Sequence, residues 1–241
     1  MSYETVESEL FELLKNKGWW TKRRYVDPQG VERTAYPRVI FMDVESAPCK
    51  PEDFLTNERI LAIGVARREY GEFGSDEGIK INSWLLKKDS DEDEYNLLEK
   101  FNNELKPEPL AVIGYGIRDY DLPLLSIKMK RYDPDIRSVK EAHPHFKKLW
   151  HIINLLERSI PIDLMTRLRF QLKVKGFDEL AKHEKFSHLP LMRIEHPVSS
   201  ERQSLGKAMY NLWKTEPEKV RALVSAHVHD LLLITESLFL A

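Results

Sequence analysis

Apolar and polar residues along this chain follow two periods, and the changes from one to the other mark its elements. Residues 3–16 place Val6, Leu10, Leu13 and Leu14 on one face with Glu and Lys opposite, the spacing of a helix. Residues 38–44 form a nearly continuous apolar run, which predicts a buried strand. RILAIGVARR (59–68) and IKINSWLLK (79–87) predict two more strands, joined by the glycine-containing loop YGEFGSDEG. An acidic stretch at 89–94 suits a helix N-terminus, and the helix continues through Tyr95, Leu98, Phe101 and Leu105. A strand at 110–115, a helix at 120–131 and a short fifth strand at 159–162 follow. The last helix, 216–240, opens with Thr215 and Glu218 at capping-box spacing and Pro217 in the first turn. A three-strand meander followed by crossovers implies an α/β architecture, a mixed five-stranded sheet with helices on its faces. Residues 1–36, with the basic and aromatic run Trp19–Tyr25 and a hairpin turn at 26–31, read as an N-terminal helical and hairpin extension. The main domain is then 37–241.

Composition narrows this only a little. Of 241 residues 42% are hydrophobic, enough for a packed core. No stretch approaches the roughly 18 apolar residues of a membrane span, and the N-terminus lacks a signal-peptide core, so a cytoplasmic location is expected. The single cysteine, Cys49, excludes an intramolecular disulfide and a zinc site built on several thiolates. The net charge of −2 gives no global pull towards nucleic acid. A basic groove beside an acidic metal site would average to the same value.

Chemistry concentrates at the ends of two predicted strands. In RVIFMDVESAP (38–48) the apolar run feeds into Asp43 and Glu45. Side chains two apart on a strand project to one side, so both carboxylates can meet one cation; the strand emerging into solvent is the plainer reading. In LAVIGYGIRDYDLPLL (110–125) a second strand runs into a turn with Asp119 and Asp121, and Pro123 fits a first helical turn. Asp121 is either a helix cap or a third acidic group beside the first strand.

These segments resemble the DEDD-type 3′–5′ exonucleases of the ribonuclease-H-like fold, especially the proofreading domains of family B DNA polymerases and their stand-alone relatives. The first family motif, an apolar strand ending in Asp-x-Glu, is matched by Asp43 and Glu45. The second is matched by Gly114, Tyr115, Tyr120, Asp121 and Pro123, with Gly116 where the family has Asn. The segment 161–183 is similar to the stretch before the family's last motif. In that motif Asp230 stands at the expected place, with Ala226 where relatives carry Tyr or His. The resemblance implies two-metal phosphodiester hydrolysis, with Mg²⁺ or Mn²⁺ held by Asp43, Glu45, Asp121 and Asp230 and Asp43 bridging both ions. His227 shares a helical side with Asp230 and is the nearest group to orient a water, while His229 points about 100° away. Of the two neighbouring aspartates, Asp121 is expected in the site and Asp119 in solvent.

Lys22, Arg23, Arg24, Lys128, Lys130, Arg131, Lys147 and Lys148, with Trp19, Trp20 and Tyr25, could line a nucleic-acid path; equally, Trp19 and Trp20 could pack on the domain while the charges solvate it. His143, His145 and His151 lack zinc-ligand spacing, and Asp163 reads as structural. Two functions follow. One is an exonuclease acting on single-stranded DNA or RNA, in repair or RNA processing. The other is a nucleic-acid-binding or scaffold module that kept the fold and lost catalysis.

Overall fold

The computed structural model describes residues 18–47, 58–132, 149–197 and 205–239. The expected helix at 3–16, together with Cys49, His143, His145, Lys147 and Lys148, lies outside the described residues. A two-stranded hairpin, β1 (Arg23–Val26) and β2 (Glu32–Ala35), precedes the main sheet. Its turn is held by Asp27, whose carboxylate accepts from the amides of Gln29 and Val31 and from Arg33. The main sheet contains β3 (Val39–Ala47), β4 (Arg59–Arg68), β5 (Ile79–Leu85), β6 (Ala111–Gly114) and β7 (Ile160–Asp163). Its order is β5-β4-β3-β6-β7, antiparallel through the first three and parallel through the last two pairs. This is the ribonuclease-H-like arrangement expected from the meander and crossovers.

The helices are α1 (Asp91–Glu104), α2 (Asp121–Tyr132), α3 (Trp150–Arg158), α4 (Leu164–Leu172), α5 (Phe177–Lys182), α6 (Leu205–Thr215) and α7 (Pro217–Phe239). The sequence pattern did not anticipate α3 and α6. Both are short and strongly two-faced, and their apolar sides pack into the same core as α1 and α2. Thr215 differs from its expected role as the cap of α7. Its hydroxyl donates backwards to the carbonyls of Asn211 and Leu212, so it closes α6.

β3 divides the interior. Ile40, Met42 and Val44 enter the core shared with α1, α2 and α6, while Val39 and Phe41 enter the one shared with α4, α5 and the second half of α7. The period of two therefore sends Asp43 and Glu45 towards the α5–α7 side. Helix α7 approaches that side closely because Gly64 of β4, the register partner of Asp43, has no side chain. A Cβ there would lie 2.8 Å from the carbonyl oxygen of Val224. Three of the expected basic and aromatic surface candidates have defined partners, and one of them, Lys128, leaves the surface. Trp20 is buried against Phe41, with ring centroids 6.0 Å apart. Lys128 is fully buried and ion-paired with Glu94 at 2.9 Å. Arg131 is exposed and paired with Asp91.

Candidate active site

Two strand ends and two helices build the site. The carboxylates of Asp43 and Glu45 leave β3 on one side, just before a bulge between Glu45 and Ser46. Asp121 opens α2 and is only 4% exposed. The turn that aims it is fixed from β7: Asp163 accepts from the amides of Gly116 (2.9 Å), Arg118 (3.1 Å) and Met165 (2.8 Å). Gly116 holds φ at +80°, a conformation that glycine adopts without steric cost, which accounts for glycine at this turn. Asp163 is thus structural, tying β6, α2 and α4 together. Asp119 is exposed.

From α7, buried His227 directs Nδ1 at Asp43 Oδ2 (3.1 Å) and Glu45 Oε1 (3.5 Å). Two residues that sequence reasoning missed complete the cluster. His196, in the segment before α6, places Nε2 3.1 Å from Glu45 Oε1. Its Nδ1 lies 3.0 and 3.1 Å from the two oxygens of Asp178, in the first turn of α5. His227 Nε2 lies 3.6 Å from the same Asp178. The two imidazole rings are 4.6 Å apart, and Phe177 meets the His227 ring edge-on at 5.1 Å. Neither His196 nor Asp178 stands at a spacing that links it to β3, so no sequence signal marked them.

The structure brings Asp43, Glu45, Asp121 and His227 together and gives Asp230 different partners. The oxygens of Asp230 accept from the amides of Met192 (2.8 Å) and Arg193 (2.9 Å), and Oδ1 also meets His229 Nδ1 at 2.8 Å. His229 is buried and reaches Asp76 with its other nitrogen. Arg193, with φ at +52°, extends its guanidinium to the carbonyls of Ala181 and Phe186. Asp230 therefore clamps to α7 the backbone that leads to His196.

The electrostatics are uneven. Burial pushes Asp121 up, and the charges of Asp43, Glu45 and Asp163 push it further, well above the usual carboxylate range. Burial would also raise Glu45, but hydrogen bonds from His196 and His227 outweigh it and hold the group at about 2. Asp178 is depressed likewise, its burial overcome by the same two rings. Burial disfavours a charged His196, yet Asp178 and Glu45 raise it to about 10. His227 is raised well above its ordinary value by Asp178, Asp43 and Glu45 against the same opposition. The fit to a cation is seen in one orphaned atom, the buried Asp121 Oδ2, which has no hydrogen-bond partner. Glu45, His196 and His227 offer ligand atoms that all lie within 4.8 Å of one another.

The fold and this cluster define an α/β protein of the ribonuclease-H-like class with an acidic and imidazole site at the end of its central strand. No protein-family model and no curated protein matches the chain. Among solved structures it is similar to the family B DNA polymerase from the hyperthermophilic archaeon Pyrobaculum calidifontis, with a TM-score of 0.55 and 15% sequence identity. That likeness covers 95% of this chain but 30% of the polymerase, so the chain spans under a third of that protein. A second likeness, to the metal-free form of the E. coli ExoI–ssDNA complex, has a TM-score of 0.35 at 12% identity, covering 77% of this chain and 41% of that one. Among the described residues no helix is long and apolar enough to cross a membrane.

Proposed function

We propose that the protein is a divalent-cation-dependent nuclease that hydrolyses phosphodiester bonds in single-stranded DNA or RNA, with the 3′–5′ exonuclease polarity of the family it resembles. The observation that carries this reading is Asp121, a buried carboxylate with an unpaired oxygen among like charges. Such an arrangement is costly without a cation. Asp43, Glu45 and Asp121 would hold Mg²⁺ or Mn²⁺. The bound ion supplies charge stabilisation at the phosphoryl group and an activated water. The chain's own contribution is to bring the β3 carboxylates and the opening aspartate of α2 together and to hold the His227 ring beside them, edge-on to Phe177. Incubating 5′-labelled single-stranded DNA and RNA with Mg²⁺, Mn²⁺ or EDTA tests it. Progressive shortening with a cation and none in EDTA is expected; no cleavage with either ion sinks the proposal.

A second reading, a binding module without catalysis, is favoured by two observations. Asp230 is engaged by backbone amides, and His196 and His227 supply positive charge to the carboxylates. Retention of single strands in a gel-shift assay, with no cleavage under any cation, selects it.

A further inference from the structure

We propose that the site binds its cation through two imidazole nitrogens as well as the β3 carboxylates, with Asp178 as the orienting group behind both rings, which makes it selective for Mn²⁺, Co²⁺ or Zn²⁺ over Mg²⁺. The inference takes its acidic half from the proposed nuclease site and rests on that reading for Glu45 and Asp43.

The geometry is that of two rings each strung between the same carboxylate and the strand. His196 turns Nδ1 to Asp178 (3.0 Å) and Nε2 to Glu45 (3.1 Å). His227 does the reverse, turning Nε2 towards Asp178 (3.6 Å) and Nδ1 to Asp43 and Glu45 (3.1 and 3.5 Å). A metal-bound imidazole usually donates its second N–H to a carboxylate, which fixes the tautomer and aims the remaining lone pair. Asp178 occupies that position for both rings at once. With one nitrogen of each ring turned to Asp178, Nε2 of His196 and Nδ1 of His227 converge on Asp43 and Glu45, where a bound cation would displace the protons that now link rings and carboxylates. Burial supports the same conclusion. His227 is 4% exposed, and its ring is held edge-on to Phe177 at 5.1 Å and 4.6 Å from the His196 ring, so packing sets its orientation.

Cation choice follows from the donor set. Mg²⁺ takes oxygen ligands and keeps much of its water, whereas imidazole suits first-row transition metals and Zn²⁺. A site with two nitrogens among its donors is therefore expected to discriminate against Mg²⁺ more strongly than carboxylates alone. The segment carrying His196 is built for the task. Asp230 anchors the amides of Met192 and Arg193, and the His196 amide itself donates to Asp178 (3.1 Å). Asp230 and Asp178 act through His196, as positioning residues.

The test is binding, measured apart from cleavage. Pulsed electron-spin spectra of the wild-type chain loaded with Mn²⁺ should show nitrogen coupling, a measurement that needs no substitution. Calorimetric titration with Co²⁺ should weaken at least about tenfold in His196→Gln and in His227→Gln. Asp178→Asn should weaken it by about 10–100-fold, the scale for a lost outer partner. Mg²⁺ affinity should change far less in all three, which a general loss of structure would not produce. Mn²⁺ bound without nitrogen coupling, or equal losses for Co²⁺ and Mg²⁺, overturns the proposal. If that result comes with Mg²⁺-supported cleavage, the nuclease reading stands alone. Nitrogen-coupled binding without cleavage leaves this site in place and removes the nuclease reading. Absence of binding by any of these ions overturns both.

Discussion

Two fully buried carboxylates, Glu94 and Asp121, show how differently one molecule treats the same kind of charge. Glu94, on α1, is surrounded by donors. Lys128 Nζ lies 2.9 Å from Oε1 and Arg59 2.9 Å from Oε2, the Ile60 amide donates at 2.7 Å, and the Tyr132 hydroxyl completes the set. Every acceptor is answered by the protein itself. Asp121, one helix away in sequence, has an unpaired oxygen and faces Asp43, Glu45 and Asp163. The first is a closed structural hub that joins α1, α2 and β4. The second is an open valence, and on the proposed function the difference separates a buried acid that holds the fold from one kept for a cation.

The largest expected effect breaks the open member. Asp121→Asn should lower cleavage by orders of magnitude, as loss of a cation ligand would, and leave the stability of the metal-free protein unchanged or higher because a repulsive charge is gone. Single-turnover rates and urea unfolding in EDTA check the two halves; a stability loss with full activity reverses the comparison. Next comes the closed member. Glu94→Ala strands Lys128 without its partner and should cost about 3–5 kcal/mol of unfolding free energy, with cleavage per folded molecule unaltered. A third effect is pH-dependent. His196 is raised from 6.5 to about 10 in the folded chain, so its contribution is complete below about pH 6.5 and is lost as pH rises through about 10. Urea unfolding of the metal-free protein should show that decline, and His196→Gln should flatten it. The smallest effect is Asp119→Asn, which removes a solvated charge two residues from Asp121 and should shift stability by less than about 0.5 kcal/mol with no change in rate.

The contrast also shows what was legible in the sequence. Continuous apolar runs marked β3, β4 and β6 because strands covered on both faces leave no polar positions. The two-residue period then carried Asp43 and Glu45 to one side of β3. The helix at 120–131 and its opening aspartate were visible for the same local reasons. Tertiary packing decided the rest. Residues 45, 178 and 196 meet only because α5 and the following segment fold back over β3, and no local pattern encodes that. On α7, His227 and Asp230 share a face but stand about 4.5 Å apart along the axis, so they meet different neighbours. His227 is level with the β3 carboxylates and Asp230 with the backbone of residues 192–193. Lys128 was misjudged as a surface group because its partner, Glu94, lies far off in the chain, while Trp20 took the packing alternative, against Phe41.

The missing side chain at Gly64 sets a mechanical tolerance for the whole site. His227 is carried by α7, and the segment bearing His196 is strapped to that helix through Asp230, so both imidazoles ride on one body. The facing carboxylates of Asp43 and Glu45 belong to the other body, the sheet. Those bodies touch where a Cβ at position 64 would stand 2.8 Å from the Val224 carbonyl and 3.2 Å from Val228. A single methyl group there would act as a shim. It would leave each half of the site intact and widen the gap between them, so the distance across which the site works is set by an atom that is not there.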